Sequence, residues 1–325
     1  MMGSRPARSP ASTSQSNRKM SREIYTRVYS PRSAGQLTSG RGPTGPSLSQ
    51  NDLLVEFTKH ADLWNRTPTA LVSVSNRIVD TVQRACQKYK SGESPANTIW
   101  VVFIEVPAAR RRTPTVTRLH PARDLAKQCL RRWGQELSHL LEPPVKFDHE
   151  FLFEWGIPDD HVLHRVSLQT LMDRGLDVKA SSTADFQDSM ARQFFGGDTF
   201  DIGVSLGGFA RPFGARAPLE WIVARLYYDC VRTETVDWSP YMIMLKYDKD
   251  GHHYKMVEIS FFRELDDAVG TVLMDWWLGD SSFADDYREF ERWRNAMEKN
   301  NNVLREGLSA KQRQEIEGRA VSIGL

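Results

Sequence analysis

Hydrophobic positions follow two different patterns along the chain. Residues 23–178 contain short β-branched and aromatic stretches separated by helical patterns, whereas the pattern of residues 185–315 is mostly helical. The short stretches predict strands over residues 24–29, 69–75, 98–106, 146–155 and 162–168. The third stretch, TIWVVFIEV, is almost continuously apolar, which is typical of a central strand covered on both faces.

Apolar residues at helical spacing predict the helices. In the first part of the chain these fall at residues 50–62, 76–90 and 122–141, with Asn51 and Asn76 as candidate N-caps. In the second part they fall at residues 184–195, 219–231, 263–278 and 283–299. A hairpin over residues 241–260 is expected around Lys249-Asp250-Gly251.

These elements together predict an α+β protein. We expect a disordered basic tail over residues 1–22 and an α+β domain with a small mixed or antiparallel sheet over residues 23–178. A mostly helical region containing the hairpin should follow over residues 185–315. The tail has five basic residues, no acidic residue and almost no large apolar side chain, so it cannot offset the entropy cost of ordering.

Composition narrows the class of protein. The 325 residues include 43 basic and 41 acidic side chains, a net charge of +2 that does not favour a nucleic-acid partner. Three cysteines are too few for a disulfide framework, and no apolar run is long enough to span a membrane. We therefore expect an intracellular protein, cytoplasmic or nuclear. A mitochondrial presequence is disfavoured because Pro6 and Pro10 interrupt the helix it would need.

The most informative alternation lies in the strand predicted over residues 146–155. Asp148, Glu150 and Glu154 point to one side of it, with Leu152 between them. Neighbouring carboxylates raise one another's pKa unless a cation or solvent relieves them. Such a face is either solvated or lines a site.

Two other strands carry polar groups of interest. Arg27 shares a strand face with Tyr25 and Tyr29, and Ser73 shares one with Ser75. The alternative interpretations are a surface ion pair for the arginine and an edge position for the serines. No metal site is expected, because the spacing of the histidines matches no established zinc pattern.

The order of these segments resembles a known family. Tyr-Thr-Arg27-Val-Tyr, then Trp-Asn-Arg66, then Ser73-Val-Ser75 and an acidic strand containing Glu150 are similar to the R-S-E pattern of mono-ADP-ribosyltransferases of the pierisin and cholera-toxin type. The layout also resembles fungal domains of unknown function. The resemblance covers residues 22 to about 168, under half of the chain.

The resemblance implies NAD as a substrate and a role for each matching residue. Arg27 would hold the NAD phosphate and ribose, Ser73 and Ser75 would scaffold the nicotinamide pocket, and Glu150 would stabilise an oxocarbenium-like transition state. Asp148 would occupy the position that chooses the acceptor. Two departures are evident, since Val74 replaces the family's central Thr and Asp148 is shorter than the usual Gln or Glu.

Two functions remain open at this stage. The chain is either an NAD-dependent ADP-ribosyltransferase with an unknown protein or small-molecule acceptor, or a catalytically inactive module that binds a partner. Convergence of Arg27, Ser73 and Glu150 in one cleft would favour the enzyme. Pairing of Glu150 with a surface Lys, or aromatic side chains filling the cleft, would favour the module.

Overall fold

The computed structural model describes residues 22–62, 64–107, 118–176, 187–188, 191–192, 197–214, 216–236, 239–246, 254–258 and 260–279. Four expectations lie outside these residues: the basic tail up to residue 21, the hairpin turn at residues 249–251, the helix over 283–299, and most of the helix over 184–195.

The larger sheet has six strands, and every neighbouring pair is antiparallel. In spatial order they are β4 (Leu119–Pro121), β5 (Glu150–Glu154), β2 (Leu71–Ser75), β1 (Arg22–Tyr29), β3 (Trp100–Pro107) and β6 (Val162–Ser167). A second sheet is an antiparallel meander of β7 (Arg232–Val236), β8 (Ser239–Lys246) and β9 (Tyr254–Glu258).

Eight α-helices are described. They are α1 (Gln50–Ala61), α2 (Ile78–Lys90), α3 (Ala122–Trp133), α4 (Ser138–Leu141), α5 (Leu168–Asp173), α6 (Thr199–Ala210), α7 (Leu219–Cys230) and α8 (Ser260–Gly279). Helices and antiparallel sheets in one chain confirm the predicted α+β class. The domain boundaries at 23–178 and 185–315 stay a prediction.

Both predicted N-caps are wrong by one or two residues. Ser49 caps α1, because its side chain accepts a hydrogen bond from the Asp52 N–H. Arg77 is the residue before α2, so Asn76 stands outside the helix and its side chain is free to contact other elements. The Asn76 side-chain oxygen lies instead 3.0 Å from His149 Nδ1.

The larger sheet opens between β1 and β2. β1 pairs with β3 along eight residues and β2 pairs with β5 along five, but β1 and β2 share a single residue pair, Thr26 with Ser75. Beyond that pair the two strands diverge. A sheet that separates in its middle leaves backbone groups and inward-pointing side chains accessible at the gap.

The hydrophobic core divides along the same line. On one face of the sheet, α1 and α3 pack over β2 and β5 around Phe57, Leu71 and Leu152. On the same face, α2 packs over β1 and β3 around Ile78 and Phe103, in a cluster that continues into α6, α7 and α8. The opposite face carries Tyr25, Val72, Val102 and Phe153, with Leu37 packed against them. A polar cleft between the two same-face clusters is the result.

Candidate functional site

The cleft between β1 and β2 encloses about 110 Å³. It is lined by Thr26, Arg27, Val28, Ser73, Val74, Ser75, Asp80, Thr81, Arg84, Lys146, His149 and Glu150. The structure therefore brings together four of the five predicted site residues, Arg27, Ser73, Ser75 and Glu150. None of the described residues lining it is Phe, Tyr or Trp.

A row of three residues crosses the sheet at the mouth of the gap. Ser75 pairs with Thr26 on one side and with Glu150 on the other. The Thr26 hydroxyl contacts the Thr81 hydroxyl of α2 at 2.7 Å and the Ser75 carbonyl at 3.2 Å. Directly opposed residues share a face of the sheet, so Glu150 projects to the side on which α1 and α2 lie.

Arg27 spans the gap where the strands separate. Its Nε donates to the Gln36 carbonyl at 2.6 Å, Nη1 to the Ser73 carbonyl at 2.5 Å and Nη2 to the Gly35 carbonyl at 2.8 Å. These bonds use three of the five guanidinium N–H groups and leave two for a ligand. Burial, and then the nearby Arg84, lower the pKa of Arg27 to about 10, so it is cationic at neutral pH.

The two serines act through different atoms. Ser73 offers its backbone carbonyl to Arg27, as described, whereas the Ser75 hydroxyl accepts from the Arg77 N–H at 3.0 Å. Ser73 and Ser75 are both half-buried. Ser75 thus stabilises the turn that leads into α2, and Ser73 fixes the guanidinium beside the cleft.

Glu150 opens β5 and is half-buried, with a side chain 30% exposed. His60 of α1 lies beside it, with Nε2 3.8 Å from the Glu150 carboxylate. The other ring nitrogen of His60 contacts the Thr69 hydroxyl at 3.2 Å. The neighbour of Glu150 is therefore an imidazole rather than a surface Lys.

The prediction that Asp148, Glu150 and Glu154 share one face of a strand over residues 146–155 is wrong. A 3₁₀ turn, Pro144–Phe147, precedes the strand, so β5 begins only at Glu150 and Asp148 lies outside it. Asp148 pairs with Arg123 of α3, 2.9 Å away, and does not line the cleft. Two prolines in succession, Pro143 and Pro144, oppose strand pairing at this point.

Glu154, at the far end of β5, lies outside the cleft and is hydrogen-bonded to other parts of the fold. His120 Nε2 lies 2.8 Å from its carboxylate, and the Leu48 N–H donates to it at 3.1 Å. Burial raises the pKa of Glu154, but these two hydrogen bonds together with the charges of His120 and Arg118 outweigh burial and hold the pKa below its usual value. The three carboxylates of the predicted face thus have three separate surroundings.

Sequence reasoning missed the α2 wall of the cleft. Asp80, Thr81 and Arg84 lie on one side of α2 and line the cavity. Arg84 follows Thr81 by three residues and Asp80 by four, and this spacing is the signal that could have indicated a shared face. Lys146 and His149, which line the opposite wall, follow no periodic pattern because their segment is a turn.

His149 contributes a neutral ring. Its Nδ1 lies 3.0 Å from the Asn76 side-chain oxygen. Burial, reinforced by Arg77, lowers the pKa of His149 below its usual value. The cleft therefore presents three cations, Arg27, Arg84 and Lys146, against two carboxylates, Asp80 and Glu150. This arrangement is complementary to a ligand that has an anionic group for the cations and an adjacent positive region for the carboxylates.

Comparisons with known proteins find a matching family model and a similar solved structure. Residues 16–171, just under half of the chain, match a family described as "Domain of unknown function (DUF7587)". Among curated proteins, none matches the chain. A solved structure named EcPltA aligns with 14% identity over 45% of this chain and 75% of its own, at a TM-score of 0.28. A TM-score this low establishes neither a shared fold nor a shared activity.

Two other features are absent from the described part of the chain. No helix there is long and apolar enough to cross a membrane. Within the same residues, no group of three or more His, Cys, Asp or Glu side chains is arranged to hold a metal ion. The cleft between β1 and β2 brings Arg27, Ser73 and Glu150 together, and the functional proposal rests on it.

Proposed function

We propose that the cleft binds NAD and transfers its ADP-ribose to an acceptor. The observation that carries the proposal is that Arg27 and Glu150 line one cleft at the point where the sheet opens. A half-buried, oriented cation and a carboxylate in one polar cavity suit a substrate that is anionic at its phosphates and becomes cationic at its ribose.

The cationic side of the cleft suits the pyrophosphate. Arg27 keeps two N–H groups beyond its three backbone bonds, and Arg84 and Lys146 add charge nearby. Arg presents donors in the fork geometry that phosphate oxygens accept. The volume of about 110 Å³ is below the roughly 300–1,000 Å³ of pockets that enclose a drug-sized ligand, so the cleft would enclose only part of the dinucleotide.

Glu150 supplies the electrostatic step. When the bond between nicotinamide and ribose breaks, its electron pair leaves with the nicotinamide and the ribose carbon becomes electron-deficient. A fixed carboxylate stabilises that developing charge. The acceptor then attacks the same carbon with its lone pair and loses a proton, which gives ADP-ribosyl acceptor and free nicotinamide.

The acceptor is a protein side chain or a small molecule in this proposal. Asp148 keeps its assigned place on the acceptor side, two residues before Glu150. Reaching an acceptor requires it to exchange its Arg123 partner, because the two side chains are 2.9 Å apart. We therefore assign Asp148 to the choice of acceptor and not to cleavage of NAD.

Release of nicotinamide from NAD tests the proposal directly. The full chain should release nicotinamide, and Glu150→Gln should reduce the rate by roughly 100-fold or more, the scale of losing one transition-state electrostatic contact. Glu142→Gln is the matched control, because Glu142 is exposed and outside the cleft. Equal rates for wild type and Glu150→Gln would show that Glu150 has no catalytic role.

The inactive module is the second candidate, and one observation favours it. Glu150 already has His60 within 3.8 Å, and the enclosed volume is small for a dinucleotide. In that case the helical half supplies the binding surface. Calorimetric titration separates the two: absence of NAD binding by the folded full chain favours the module, whereas binding without nicotinamide release points to a missing acceptor.

A further inference from the structure

Helix α7, from the second half of the chain, reaches the turn between β2 and α2. Arg225 Nε donates to the Asn76 backbone carbonyl at 2.6 Å. One turn further along α7, the Asp229 carboxylate lies 3.7 Å from Arg77 Nε, and its side chain is only 4% exposed. Two successive residues of the turn are therefore contacted by two side chains of one helix face.

Asn76 connects α7 to the cleft through two hydrogen bonds with His149. Its N–H donates to the His149 carbonyl at 3.1 Å, and its side-chain oxygen lies 3.0 Å from His149 Nδ1. With the Asn76 amide oxygen as the acceptor, Nδ1 of His149 is the donor and carries the ring proton. Asn76 thus holds both the backbone and the ring of the residue that precedes Glu150.

The next residue of the turn holds two more cleft residues. The Arg77 N–H donates to the Ser75 hydroxyl at 3.0 Å, and Arg77 Nη1 lies 3.7 Å from the Asp80 carboxylate. A displacement of residues 76 and 77 would consequently move His149, Ser75 and Asp80 together. All three line the cleft.

We propose that Arg225 is a positioning residue for the cleft: through its hydrogen bond to Asn76 it fixes the orientation of His149 and the place of Glu150. The second half of the chain then completes the site without entering it. The kinetic consequence of this inference rests on the proposed NAD cleavage, whereas its structural consequence at His149 does not.

A matched pair of substitutions isolates the hydrogen bond. Arg225→Met and Arg225→Gln both remove the charge and have similar length, but the Gln side-chain nitrogen stands where Arg Nε stood and keeps the donor. Glu220→Gln, at an exposed position on the same helix, controls for a change of charge on α7. All variants are made in the full chain, with thermal unfolding checked first.

The first readout is the ¹⁵N spectrum of the His149 ring, assigned by its loss in His149→Gln. Wild type, Arg225→Gln and Glu220→Gln should show the Nδ1–H tautomer. Arg225→Met should move His149 toward the Nε2–H tautomer that free imidazole side chains prefer. A purely structural role for Arg225 would lower stability in both Arg225 variants without separating their tautomers.

The second readout is nicotinamide release. Arg225→Met should lower kcat by about 10- to 100-fold with a smaller change in KM, since displacement of a reacting group by about an ångström costs this much. Arg225→Gln should recover most of that loss. If wild type releases no nicotinamide, the proposed function fails and the tautomer alone decides this inference.

Two results overturn the inference. One is the same His149 tautomer in folded Arg225→Met as in wild type. The other is an Nε2–H tautomer in wild type itself, which decides the matter even if Arg225→Met does not fold.

Discussion

Arg27 donates from Nη1 to the Ser73 carbonyl across the gap where β1 and β2 no longer pair. A side chain here replaces the backbone hydrogen bonds that a continuous sheet would make. Because the same guanidinium also holds the Gln36 and Gly35 carbonyls, one residue connects both strands and the loop that follows β1. The gap is therefore an ordered opening in the sheet, held by the hydrogen bonds of Arg27.

Replacing Arg27 tests this bracing. Arg27→Lys keeps the positive charge but cannot reach three carbonyls in fixed directions. We expect the free energy of unfolding to fall by about 1–3 kcal/mol, since charge-assisted hydrogen bonds to three carbonyls are lost, two of them part-buried. Urea denaturation measures the loss, and Arg66→Lys at an exposed position is the control. Unchanged stability would mean that the hydrogen bonds across the gap do not brace it.

Substitutions of Asp148 and Glu150 should have different effects on the rate of nicotinamide release. Asp148→Asn breaks a partly exposed ion pair with Arg123, so it should change stability by no more than about 1 kcal/mol. Under the proposed function it should change nicotinamide release less than tenfold, because Asp148 does not line the cleft. A loss as large as that of Glu150→Gln in parallel assays would place Asp148 in the cleavage step and contradict this assignment.

Asp229 predicts a pH dependence of stability. Burial, only partly offset by Arg225 and Arg77, raises the pKa of Asp229 to about 7 from its usual 3.8. The folded chain then binds a proton that the unfolded chain has released, so the free energy of unfolding falls as pH rises from about 4 to about 7. Chemical denaturation at pH 5 and pH 8 should show a smaller difference for Asp229→Asn than for wild type.

The control for that experiment is His149, whose pKa is shifted in the opposite direction from that of Asp229. His149 has a lowered pKa, so its contribution to stability is present above its unfolded pKa and is lost as pH falls through 6.5 and below. His149→Gln should therefore remove a loss of stability at acidic pH. If Asp229→Asn leaves the difference between pH 5 and pH 8 unchanged, Asp229 is already ionised throughout that range.

The crossing of α6 and α8 gives a prediction that is independent of function. A Cβ on Gly203 would stand 2.4 Å from the Ala268 Cβ and 2.8 Å from the Leu265 carbonyl. Gly203→Ala should therefore cost about 1–3 kcal/mol of unfolding free energy through overpacking. Gly208→Ala is the matched control on the same helix, because nothing lies within 4 Å of its position. It should stabilise by about 0.5–1 kcal/mol through reduced backbone freedom.

The alternation of residues located most strands, and helical spacing located most helices. The helix from Ile78 follows from periodicity, because burial of one face selects residues at fixed intervals. The strand around Phe103 follows instead from its continuous apolar run, because both of its faces are buried. The strand over residues 146–155 was misjudged at its start. Alternation continued by chance through a 3₁₀ turn that local proline geometry imposes.

The candidate site also has a part that the sequence predicts and a part that it does not. The sequence by itself determined which residue types stand on β1, β2 and β5, and hence that Arg27, Ser73 and Glu150 were candidates. Only the tertiary structure decided that the sheet opens between β1 and β2, that α2 adds Asp80 and Arg84, and that Arg225 reaches Asn76 from 149 residues away. The physical reason is that periodicity records which side of an element is buried, whereas a cleft depends on how far apart two elements come to lie.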